Sequence, residues 1–150
     1  MKSAGSGLQG RLAATVGGNT SLRWIAYLGL CAAYLQGGLV KLFDFPSAIG
    51  EMTHFGLAPA PLFAVGVIVL ELGASVMILA GRLRWLGAVV LGAFTLLATA
   101  IALRFWELPP GHERFMAANS FFEHLGLVGG FLLVAWQDLR EKLPLERRQS

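Results

Sequence analysis

The stretch Pro61–Ala80, PLFAVGVIVLELGASVMILA, is twenty residues long and holds one ionisable side chain, Glu71. With a rise of about 1.5 Å per residue, a helix of ~20 apolar residues crosses the hydrocarbon core of a bilayer. The stretch is therefore predicted to span a membrane. Its carboxylate then falls near the midplane, where a lone charge costs at least about 2.5 kcal/mol. Glu71 needs a partner, a proton or water, and the remainder of the chain has to supply it.

Three further apolar segments are long enough to accompany it: Leu22–Phe43, Trp85–Leu103 and a fourth from Phe115 to Trp136. The fourth has to start that early because its wholly uncharged part, Leu125–Trp136, is too short to cross, which draws Glu123 and His124 into the membrane. With 150 residues, 55% of them hydrophobic and 14% charged, the chain has no surplus for a separate soluble domain. The predicted class is an all-α membrane protein, a bundle of four transmembrane helices. Residues 22–136 form the membrane domain, 1–21 a flexible Gly/Ser/Thr-rich tail and 137–150 a basic tail.

Nine of the twelve Lys and Arg residues lie in the tail ends and the Arg82/Arg84 turn, against Lys41, Arg104 and Arg114 on the other side. Both termini of a multi-pass membrane protein are accordingly expected in the cytoplasm. Trp24, Trp85, Trp106 and Trp136 fall at span ends, as interfacial anchors do. The basic residues are thereby accounted for by orientation, and no nucleic-acid partner is inferred. Between the first two spans, Phe45, Ile49, Met52 and Phe55 recur near the helical period and predict a short amphipathic helix at the interface. His54 beside it reads as a solvated histidine, since no second ligand stands at metal spacing. A single cysteine, Cys31, excludes an internal disulfide and a CxxC pair.

Small residues mark the faces expected to pack. Gly29, Ala33 and Gly37 lead to Lys41 at four-residue steps in the first span, Gly92 stands on the small-residue face of the third, and Gly126-x-x-x-Gly130 lies in the fourth. The polar residues within the spans are Gln36, Lys41, Glu71, Asn119, Glu123 and His124. They are expected to gather between the first, second and fourth helices. Such a cluster either fixes helix register or forms a polar pocket open to the periplasmic side. No metal site, nucleotide loop or hydrolase fingerprint accompanies it.

Gly37-Gly38-Leu39-Val40-Lys41-Leu42, Gly56-Leu57-Ala58-Pro59, Glu71-Leu72-Gly73 and the turn Gly81-Arg82-Leu83-Arg84 occur in that order. Together they resemble the DoxX family of small four-helix membrane proteins, and Phe105-Trp106-Glu107 with Phe121-Phe122 through Gly129-Gly130 resembles one branch of it. Where that pattern carries a Lys-Asn pair in the last span, this chain has Glu123-His124, which alters the charge of the pocket. The resemblance implies an inner-membrane protein associated in some cases with oxidoreductases, and Lys41 with Glu71 as a motif-matched polar pair. Three functions are expected in turn: an accessory subunit that binds a redox-enzyme partner; a quinone-linked oxidoreductase subunit moving protons through the Lys/Glu cluster; and an oligomeric small-molecule or proton-coupled transporter. The quinone would be the cofactor of the second and a homo-oligomer the form of the third, while the lipid bilayer surrounds all of them.

Overall fold

The structure is a computed structural model, describing the backbone of residues 19–146 and side chains as far as Lys142. The expected N-terminal tail therefore falls largely outside the described residues, whereas the backbone of the expected C-terminal tail is described as far as residue 146. Among the described residues five α-helices follow in order: α1 (Thr20–Phe43), α2 (Phe45–His54), α3 (Ala60–Ala80), α4 (Arg84–Ala102) and α5 (His112–Glu146), with a 3-10 turn at Phe105–Glu107. Four of them are long and apolar enough to span a membrane. The protein is an all-helical membrane bundle with a short helix between its first two spans.

Local chemistry sets the boundaries. Asn19 caps α1 by accepting hydrogen bonds from the backbone of Ser21 at 3.0 Å and Leu22 at 3.2 Å. Asp44 both ends α1 and opens α2, its Oδ1 accepting from Ser47 N at 3.2 Å, while Pro46 enters the first turn where its missing N–H is harmless. Gly81 closes α3 at φ 75°, a left-handed position that glycine takes without strain. α5 continues as one helix beyond Trp136, where the apolar sequence ends, as far as Glu146.

α3 and α4 occupy the middle of the bundle, with α1 against α3 and α5 against α4. α2 lies on α3: Ala48 and Met52 are buried with Ala64, and Phe45 and Ile49 pack around them. The core joins Tyr27, Cys31 and Tyr34 of α1 with Ala74 and Ile78 of α3, Ala88 and Leu91 of α4, and Phe131, Val134 and Ala135 of α5. Glycine permits the closest approaches. A Cβ on Gly87 would sit 2.7 Å from the carbonyl oxygen of Ala74, and one on Gly38 would sit 2.8 Å from Leu72.

The small-residue stripe of α1 does not face the bundle along its length. Gly37 lies against α3, but Gly29 and Ala33 are exposed, and nothing stands within 4 Å of a Cβ on Gly29. Four residues turn an α-helix by about 40° more than a full circle, so a strict four-residue stripe winds away from a fixed face. The face that is buried, Tyr27, Cys31, Tyr34 and Gly38, alternates steps of four and three and stays in line. On α5, a Cβ on Gly130 would lie 3.2 Å from Leu30 whereas one on Gly126 would meet nothing within 4 Å; a Cβ on Gly92 of α4 would lie 3.6 Å from Phe131.

Candidate functional site

The end of the bundle where α1 begins and α5 finishes is here the proximal end, and the end carrying α2 the distal end. Lys41 lies in the last turn of α1, where a cation complements the helix carbonyls. Its Nζ is 3.5 Å from Glu71 Oε2 on α3 and 3.8 Å from Glu51 Oε2 on α2. The side chains grade from 8% exposure at Glu71 through 15% at Lys41 to 45% at Glu51. A carboxylate deep in a span is thus tied through one cation to a carboxylate at the surface.

This pairing is loose. Glu71 Oε2 is buried and makes no hydrogen bond, and neither does the buried Ser75 Oγ one turn further along α3. The opening that admits the carboxylate is Gly37: a Cβ there would lie 3.6 Å from both Glu71 Oε2 and Lys41 Nζ. The side chain of Glu71 therefore reaches from α3 into the space in front of α1.

Of the six polar residues singled out in the spans, Lys41 and Glu71 are brought into contact. His124 meets a different partner, its Nδ1 lying 2.9 Å from Thr99 Oγ1 on α4. Gln36, Asn119 and Glu123 are exposed on the bundle surface. Glu51 completes the site and is not among the six. It belongs to the amphipathic connection, and its signal is the polar side of that helix facing the end of the first span.

A second polar cluster, at the proximal end, lies in what reads as a tail. Asp138 is 5% exposed, accepts from Trp85 N at 3.1 Å and from Lys142 Nζ at 2.7 Å, and lies 3.9 Å from Arg84 Nη1. The guanidinium of Arg84 stands 4.5 Å over the Tyr27 ring and donates to Ile78 O at 3.0 Å. Leu83, the residue before α4, offers no side-chain cap, so Asp138 of α5 supplies from a neighbouring helix the acceptor that α4 lacks. The sequence signal was the uncapped start at Arg84 together with the Asp138/Lys142 spacing on one helix face.

Four apolar spans and a buried, charged distal site define an integral multi-pass membrane protein. The sequence model of the DoxX family matches residues 22–104, more than half of the chain, and the chain belongs to that family. The matched segment carries Lys41, Glu51 and Glu71 and ends before α5. No curated protein and no solved structure matches the chain.

Proposed function

We propose that this protein is an accessory subunit of a membrane-bound redox enzyme, in the bacterial inner membrane, with both termini cytoplasmic and the distal site on the periplasmic side. The observation that carries the reading is the graded series Glu71, Lys41, Glu51, from 8% to 45% exposure, which links an acid inside the membrane to an acid at its surface. Such a series can hold or pass a proton for chemistry done by a partner. The chain's own thiol, Cys31, is fully buried, which supports an accessory rather than a catalytic part. The excess of Lys and Arg at the proximal end supports the orientation.

Purification of the tagged protein from its native membranes in mild detergent tests the partner. An oxidoreductase is expected to co-purify in excess over an unrelated four-span control. Recovery of none would overturn the reading. A phosphatase fused after Arg148 is expected to be inactive, and an active fusion would reverse the orientation.

A further inference from the structure

α1 has two unlike faces. Tyr27, Cys31, Tyr34 and Gly38 are buried against the rest of the bundle. About half a turn round the helix from them, Ile25, Gly29, Ala32, Gln36, Leu39 and Phe43 are all exposed. Their spacing alternates steps of four and three residues without a break, the repeat by which one helix keeps a straight seam against a second. Among the described residues nothing covers that seam.

Lipid solvates most of the seam and fails at one position. Gln36 stands seven residues from the end of a 24-residue helix, about 10 Å along a rod about 36 Å long, which places it inside the ~30 Å hydrocarbon core. Its amide carries two N–H donors and a carbonyl acceptor, and hydrocarbon offers none of them a partner. The outward faces of α3 and α4 differ, since Val65, Val69 and Val76, like Val89, Leu96 and Leu97, ask nothing more of lipid. α5 exposes Asn119 and Glu123, and two copies joined there would set carboxylate against carboxylate. α1 alone joins an unbroken uncharged seam to an unmet amide.

A second copy of the chain meets that need. Copies inserted in one membrane share one orientation, so two α1 helices related by a two-fold axis along the membrane normal meet parallel and in register, each Gln36 at the depth of the other. The amide both donates and accepts, so the pair is self-complementary. The cations of α1 are held off the seam, Arg23 by Glu141 and Lys41 by Glu51 and Glu71. Gly29 and Ala32 add no bulk beside Gln36, and nothing stands within 4 Å of a Cβ on Gly29, so the two backbones can approach closely. We propose that the chain forms a parallel homodimer through the outer face of α1, Gln36 hydrogen-bonding to Gln36 of the partner subunit within the membrane. The dimer needs neither the Lys41–Glu71 pair nor a redox partner, so co-purification of an oxidoreductase can fail while the dimer stands.

The test uses the full chain carrying a donor or an acceptor dye on a terminal tag, reconstituted in phosphatidylcholine vesicles, with energy transfer followed as lipid dilutes the protein. A saturable monomer–dimer curve is expected. Gln36→Leu keeps the bulk but removes the amide and should weaken association about three- to tenfold; Gly29→Ile holds the backbones apart and should weaken it by about tenfold or more. Both positions are exposed, so the fold survives either substitution. Because the native Cys31 is buried, oxidation should link Gly29→Cys and Leu39→Cys into dimers while leaving Val69→Cys on α3 monomeric. Three results would overturn the proposal: transfer no greater than that of unassociated proteins at equal density; association of Gln36→Leu as tight as wild type; or a change of face, seen as Val69→Cys linking as fast as Gly29→Cys, or as Leu39→Cys linking to Glu123→Cys of another copy in preference to itself.

Discussion

Two carboxylates are buried to nearly the same degree, Asp138 at the proximal end with 5% exposure and Glu71 at the distal end with 6%. Their surroundings are opposites. Asp138 accepts from a backbone N–H and from Lys142, with Arg84 close by, and so joins the start of α4 to α5. Glu71 has one cation at 3.5 Å and an oxygen with no hydrogen bond. A buried charge stabilises a fold only when its hydrogen-bonding capacity is met. The proximal acid is built for stability, whereas the distal acid leaves capacity unused, as a group waiting for a proton or a ligand would.

Removing the satisfied acid should have the largest effect. Asp138→Ala leaves Trp85 N without an acceptor and Arg84 without a counter-charge, at a cost of about 2–3 kcal/mol. Asp138→Asn keeps an acceptor for Trp85 N and should lose about half as much. Unfolding in detergent micelles with rising dodecyl sulfate measures both; if Asp138→Ala were as stable as wild type, the contrast between the two ends would collapse.

Packing gives the next effect. A Cβ at Gly87 meets the Ala74 carbonyl oxygen at 2.7 Å, and backbone cannot step aside, so Gly87→Ala should cost about 2 kcal/mol. At Gly37 a Cβ meets Glu71 and Lys41 only at ordinary contact distance, 3.6 Å, and Gly37→Ala should change stability by less than about 0.5 kcal/mol. Equal losses in the same unfolding assay would show that the distal half is as tightly packed as the proximal half.

These contrasts were unevenly legible in the sequence. The spans were, because hydrophobicity over twenty residues is a local property and lipid enforces it. Lys41 and Glu71 were legible as partners because an isolated charge in a span has few places to go. Asp138 was not: it lies beyond Trp136 among charged residues that read as a solvated tail, and only the continuation of α5 onto the bare start of α4 buries it. Nor was the pairing of His124 with Thr99, since which of several polar groups a helix meets depends on its rotation, and one residue shifts that by about 100°.

Glu71→Gln should separate stability from function. Gln retains the shape and a hydrogen-bonding carbonyl, and Lys41 still has Glu51, so stability should stay within about 1 kcal/mol of wild type. Activity in a deletion-complementation assay should nevertheless be lost, and Glu71→Leu should disturb packing around Lys41 in addition. If both variants complemented fully at unchanged protein levels, the distal carboxylate would be dispensable.

The smallest effect is expected at the Arg23–Glu141 pair. Its side chains are 36% and 48% exposed, and Arg23 also donates to Tyr27 OH at 3.3 Å, so water and the tyrosine can take over when Glu141 is removed. Exposed pairs of this kind contribute about 0–1 kcal/mol and weaken with salt. Glu141→Gln should therefore cost no more than about 0.5 kcal/mol in the unfolding assay. What the pair does is join the start of α1 to the proximal end of α5. Cysteines placed at Leu30 and Gly130 should cross-link readily, and a pair at Lys41 and Asn119 slowly, since Asn119 is exposed. Fast cross-linking at both positions would mean that α1 and α5 stay in contact along their whole length.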